Sequence, residues 1–237
     1  MNGRIEIYET HHQILKDVYE KIVGTLYQKQ KQEDAKVFLF SGCSSRCGNT
    51  MNCINIAVEL AKEGFKTVLI DCDLRKGMKY SRLNQEAKTG LSDFLTGRNM
   101  EAIYHTTIEN LDYIPSGKKE PYPGLILSSD MMRGLLEGMK EEYDYVILDC
   151  PCVSVVEDAV MLKKMVDGVF LVAAFDQTSE KEILLAKEKM QGDQFVGVIA
   201  NKLEIPLYKK FLRNFDYYTE KNLEKMQKKY LRGKVSK

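Results

Sequence analysis

The sequence predicts an α/β protein built on a doubly wound, mainly parallel sheet flanked by helices. Short runs such as Val68, Leu69, Ile70 and Val146, Ile147, Leu148 are apolar at successive positions, which suits strands covered on both faces. These runs alternate with segments whose apolar residues recur every three or four positions, the signature of intervening helices. Two of the runs also close on a carboxylate, Asp71 and Asp149, at the strand ends where sheets of this kind bind ligands.

Taken in order, Leu15, Tyr19, Ile22 and Leu26 form one stripe of a leading helix over residues 10–29, a stripe that needs a partner surface. A first strand is expected at 36–41 and a loop at 42–49, followed by a helix from Thr50 to Glu63. That helix buries Ile54, Val58 and Ala61 and ends at Gly64. Lys66 to Asp71 is the next strand, and Leu111 to Ile114 a short one. A helix from Gly124 to Glu142 leads into the strand Tyr145 to Asp149. Gly168 to Ala173 and Phe195 to Ala200 add two strands, with a helix from Thr178 to Met190 between them. The expectation is five or six strands in a single domain spanning 1–237, closed by a basic helical segment over 207–237.

A length of 237 residues with 44% apolar and 29% charged content fits one globular domain. No window approaches about eighteen uninterrupted apolar residues. The opening Met1 to His12 also lacks the basic and apolar regions of an export signal, so a cytoplasmic location is expected. The net charge of +1 hides an asymmetry: residues 207–237 hold ten Lys or Arg against three acids, +7, leaving 25 against 31, or −6, elsewhere. Such a tail suits either a solvated amphipathic helix or a phosphate-rich or acidic partner; nucleic acid is not expected. Cys43, Cys47, Cys53, Cys72, Cys150 and Cys152 all fall in or just beyond segments that converge at the carboxyl ends of the strands. Their spacing is that of neither a zinc ribbon nor a disulfide framework, leaving buried structural thiols or a metal or redox site.

The run Val37 to Thr50 passes from an apolar strand through a compact turn into a helix, the shape of a phosphate-binding loop. Gly42 and Gly48 permit close backbone approach, successive amides can surround phosphate oxygens, and the Thr50 hydroxyl can meet magnesium. Asn49 stands where such a loop carries its lysine: it hydrogen-bonds but does not neutralise. Arg46 is the nearest replacement charge, in a different geometry. If the chain stays extended through Cys72, Asp71 and Asp73 share one side of the second strand, beside the carboxylate that ends the strand at Asp149.

Ile70 to Gly77 (IDCDLRKG) resembles the second Walker-type motif of the MinD/ParA-like P-loop ATPases, and within them of bacterial capsule and exopolysaccharide tyrosine kinases. Thr89 to Gly97, Pro121 to Ser129 and the Walker B-like Tyr143 to Pro151, followed by Asp158, resemble their later landmarks, so the likeness spans about 36–202. The resemblance implies a P-loop NTPase-like fold and ATP or ADP with magnesium as ligand. Gly48 and Thr50 would hold phosphate and metal, Asp71 would activate the acceptor or water, Asp73 and Asp149 would form the metal environment, and Asn201 would meet the base.

The departures cluster where catalysis belongs. Asn49 replaces the main lysine, Ser44 replaces the second signature lysine, and Asp17 to Val23 lacks the family's assembly motif. The kinases carry a phosphorylated terminal tyrosine cluster, and Tyr208, Tyr217, Tyr218 and Tyr230 fit either that role or helical packing. The expected function is a degenerate nucleotide- or anion-binding protein, with weak or absent Mg-ATP binding, that regulates or scaffolds a polysaccharide or envelope-associated system. The alternative is an active ATPase or protein tyrosine kinase. The resemblance further implies a homo-oligomer and an envelope-associated activator that recruits the chain to the inner face of the membrane.

Overall fold

In the computed structural model of the protein the described residues are 5–7, 13–77 and 87–203, those of 13–17 by backbone only. The chain divides into two units, Met1–Asn201 and Lys202–Lys237, and the sheet lies wholly in the first. The expected terminal helix from Leu207, the four tail tyrosines and residues 10–12 of the leading helix fall outside the described residues.

The elements run α1 (Gln13–Glu33), β1 (Val37–Gly42), α2 (Asn49–Lys62), β2 (Thr67–Asp71), α3 (Leu91–Leu95), β3 (Tyr104–His105) and β4 (Leu111–Ile114). There follow α4 (Pro123–Leu127), α5 (Asp130–Glu142), β5 (Tyr145–Cys150), α6 (Asp158–Leu162), β6 (Gly168–Ala174), α7 (Glu180–Met190) and β7 (Phe195–Asn201). Among the described residues seven strands form one sheet in the order β3-β4-β2-β5-β1-β6-β7, parallel except where β3 meets β4. The five or six expected strands become seven because β3 is two residues long, too short to leave a periodic trace.

Strand alternation builds the core on both faces. In β1, Phe38 and Phe40 pack with Leu26 of α1 and with Ile56 and Leu60 of α2, while Val37 and Leu39 face Leu136 of α5 and Leu162 of α6. Leu69 and Ile147 follow the first pair, and Val68, Ile70, Val146 and Leu148 the second. Each fully buried side chain of this size contributes about 1.5–3 kcal/mol over an exposed one. The rings of Phe40 and Phe170 stack with centroids 4.9 Å apart, tying β1 to β6.

The stripe on α1 finds its partner in α2: Tyr19, Val23 and Leu26 are buried there, and Asn55 Nδ2 donates to the Tyr19 hydroxyl at 3.0 Å. The helix runs four residues beyond the expected end at 29, its last turn carrying a Lys29–Glu33 ion pair of 2.6 Å. The single helix expected from Gly124 to Glu142 is instead α4 and α5. Its break lies at Ser128 and Ser129, where the Ser129 hydroxyl accepts the Met132 amide at 3.3 Å and so starts a new helix.

Candidate functional site

β1 ends at Gly42 in the middle of the sheet, and the chain must turn sharply there to start α2. A Cβ on Gly42 would lie 2.6 Å from Cys47 Sγ and 3.0 Å from the Ser44 carbonyl oxygen, so glycine alone lets the loop fold back on the strand end. The turn is completed by Arg46 and Gly48 in the left-handed region, at φ 60° and 94°. Asn201, the last residue of β7, clamps it: its Nδ2 donates to the Cys47 carbonyl at 2.8 Å. Ser44, at the second lysine position, is tied by a 2.6 Å hydroxyl contact to Thr178, which in turn accepts the Ala174 amide.

Asn49 opens α2 with its side chain turned into the sheet. Its Nδ2 donates to Asp149 Oδ1 at 2.6 Å and to the carbonyls of Phe40 and Cys150, each at 3.1 Å. Its Oδ1 is buried without a hydrogen-bond partner among the described residues. An amide oxygen so placed costs about 1–3 kcal/mol unless a water or a hydrated ion supplies the donor.

Asp71 and Asp149 are register partners on the adjacent strands β2 and β5. Burial raises both carboxyls, Asp71 further through the Asp149 charge, so that Asp71 is pushed up to about 7 and Asp149 to about 6. Hydrogen bonds from Thr50 and Asn49 pull Asp149 partway back. Asp73 does not continue the strand. Its amide donates to Asp71 Oδ1 at 2.9 Å, residues 74–76 turn away, and its carboxylate pairs with Lys76 at 2.5 Å. Asp71 and Asp73 thus meet in a carboxylate-capped turn instead of along a continuing strand, and the Asp73 charge is still felt by Asp71 and Asp149.

The geometry thus gathers Gly42, Arg46, Gly48, Asn49, Thr50 and Asn201 around one loop and sets Asp71, Asp73 and Asp149 at the adjoining strand ends. Among the described residues no three His, Cys, Asp or Glu side chains form a metal-binding group. Magnesium needs only one or two protein oxygens when phosphate and water supply the rest. The Thr50 hydroxyl, which already bonds Asp149, together with Asp149 or Asp73 would hold such an ion, which would offset phosphate charge. The loop offers no lysine for that task, and Arg46 is exposed.

Two neighbours of the site went unread in the sequence. Ser116, 1% exposed, lies beside Asp71, and its hydroxyl draws that carboxyl partway back down. Its signal was positional, since it follows the end of β4 as Asp71 ends β2. Arg75 forks onto the buried Asp158, Nε to Oδ2 at 3.0 Å and Nη2 to Oδ1 at 2.9 Å, and so fixes the turn after Asp73.

The sequence pattern of the AAA domain family matches residues 44–165. The tyrosine-protein kinase CpsD of Streptococcus pneumoniae serotype 4 is 35% identical over 167 residues, which cover 68% of this chain and 74% of that protein. The tyrosine-protein kinase Wzc of Salmonella typhi is 32% identical over 76% of this chain, but this chain spans only 26% of it. Among solved structures, the kinase domain of the Escherichia coli tyrosine kinase ETK superposes with a TM-score of 0.72 at 26% identity, covering 79% of this chain and 77% of that one. The cell division protein MinD of Aquifex aeolicus shares the fold, with a TM-score of 0.57 at 22% identity over 75% of this chain and 73% of its own.

Proposed function

Because the chain belongs to the MinD/ParA-like P-loop ATPases, in the AAA domain family and beside the bacterial tyrosine kinases, we propose that it is a degenerate member with a weakened nucleotide site. It keeps the loop and carboxylate framework, has little phosphoryl transfer of its own, and regulates or scaffolds a polysaccharide or envelope-associated system. One observation carries this reading: the Asn49 amide, in the lysine position, is spent on Asp149 and two strand carbonyls. A neutral amide held there leaves the charge of transferring phosphate without its main counter-charge, and electrostatic stabilisation is a large part of phosphoryl-transfer catalysis. The likeness to the tyrosine kinases CpsD and ETK supports a partner in a kinase system, and no helix among the described residues is long and apolar enough to cross a membrane.

A second reading, an active ATPase or protein tyrosine kinase, draws support from Asp71. A carboxyl pushed up to about 7 is poised to take a proton from an acceptor hydroxyl near neutral pH. That enzyme would need its cation from Arg46 or from a partner subunit. Turnover of Mg-ATP by the purified full chain, alone and with a Tyr-containing acceptor, separates the two. The degenerate reading expects no turnover above background. Turnover that disappears in Asp71→Asn while the variant stays folded would establish the enzyme instead.

A further inference from the structure

Three of the six thiols meet at Gly42. Cys47 Sγ lies 2.6 Å, and Cys152 Cβ 3.8 Å, from the position a Gly42 Cβ would take, so the two are no farther apart than those distances together. Cys152 is brought there by β5 and held by the next residue, whose amide (Val153) donates to the Gly42 carbonyl at 3.1 Å. Cys43 stands close enough to feel the charges of both, but it is fully buried, and burial first, then those charges, push its thiol up to about 12. The loop amides of Asn49 and Ser44 reach the Cys47 sulfur, so a thiolate there would sit in the hydrogen-bonding cradle that serves an anion. Cys152 is the one partly exposed thiol of the six. A metal does not account for the cluster, since no metal-binding group of three side chains exists among the described residues.

We infer that Cys47 and Cys152 form an oxidisable pair whose disulfide ties the phosphate loop to the end of β5. The oxidant is of the peroxide class. The Cys152 thiolate attacks hydrogen peroxide, breaking its O–O bond to give the sulfenic acid and hydroxide. The Cys47 thiolate then displaces hydroxide from the Cys152 sulfur, and protonation of the two hydroxides yields two waters for two thiols consumed. The exposed sulfur meets the oxidant and the buried one resolves it. Burial favours the protonated Cys47 thiol, so the second step requires that thiol to lose its proton. Once formed, the bond fixes Cys47 between Arg46 and Gly48, the two left-handed residues that shape the loop.

The test does not depend on nucleotide binding. The full chain, reduced and then treated with hydrogen peroxide, is digested without reductant and mapped by mass spectrometry. Trypsin is also used on the folded protein to follow cleavage after the exposed Arg46. Expected are a loss of two hydrogens, a linked peptide joining Cys47 to Cys152, and slower cleavage at Arg46 that dithiothreitol reverses. Cys47→Ser and Cys152→Ser should each lose the linked peptide, and Cys43→Ser should keep it, with folding of each variant checked by circular dichroism. A linkage that persists in Cys47→Ser, or Cys152 carried only to its sulfinic acid while Cys47 stays reduced, would overturn the pairing.

Discussion

Asn49 Nδ2 and Asp149 Oδ1 lie 2.6 Å apart, so the residue in the lysine position of the loop is bonded to the carboxylate one residue before the end of the central strand β5. A lysine in its place would set a full charge against the same carboxylate and remain free to turn toward phosphate. The amide holds the loop shut against the strand ends through three acceptors instead. On the proposed reading, the anchored loop and the weakened nucleotide site follow from this one residue.

Raised carboxyls make the site a stability cost above neutral pH. Asp71 and Asp149, pushed up to about 7 and about 6, keep protons that the unfolded chain releases near pH 4. Stability contributed by the pair therefore falls as pH rises from about 4 through about 7, and levels off above. Asp71→Asn keeps the acceptor for the Asp73 amide but has no charge to bury. Thermal melts should show a higher Tm for the variant at about pH 8, about 2–4 °C for each kcal/mol regained in a domain of this size, and almost none at about pH 4. A lower Tm at the higher pH would sink this account of the pair.

Arg75→Ala should destabilise the fold by about 1–2 kcal/mol, below the ~3–5 expected for a fully buried pair, because the Arg75 side chain is itself 42% exposed while Asp158 is only 2% exposed. Arg75→Lys should recover only part of the loss, since an ammonium does not reproduce the two-pronged contact. Urea denaturation of the three proteins gives the ranking, and equal stability of all three would show that water already satisfies Asp158.

Gly90 is predicted to be the least replaceable residue of the segment before α3. A Cβ there would lie 2.3 Å from the Pro115 carbonyl oxygen and 2.4 Å from the Gly117 amide nitrogen, both backbone atoms. The same contact seats Asp93, which accepts the Gly90 and Lys118 amides and pairs with Arg98. Gly90→Ala should cost more than about 3 kcal/mol, whereas Gly97→Ala, with open space around it, should cost about 1 for its left-handed backbone. Denaturation midpoints that are alike for the two would contradict the close packing.

How much of this was legible follows from where the physics is local. Strand runs such as Val146 to Leu148 are buried on both faces and announce themselves in any window, and so do the carboxylates that end them. The break at Ser129 was hidden because a serine inside an otherwise helical pattern reads equally as a surface position; only its bond to the Met132 amide makes it a cap. The turn at Asp73 was hidden for the same reason, since one side-chain acceptor decides between an extended and a folded chain. At the site, the identity of Asn49 was plain and its direction was not. A side chain aimed at Asp149, Phe40 and Cys150 depends on residues 100 positions away in sequence as well as on neighbours. Ser116 and Cys152 matter only because the sheet order brings β4 and β5 beside β2 and β1.

The most direct measurement is calorimetric titration of Mg-ATP into the folded native chain and into Asn49→Lys. If the lost charge is the main defect, the native chain gives weak heat or none. The lysine variant should bind at least about tenfold more tightly, equivalent to about 1.4 kcal/mol, even if turnover stays absent. Tight binding by the native chain, or an affinity unchanged in a folded Asn49→Lys whose phosphate cradle is open, would contradict it and move the defect from Asn49 to the backbone geometry of the loop.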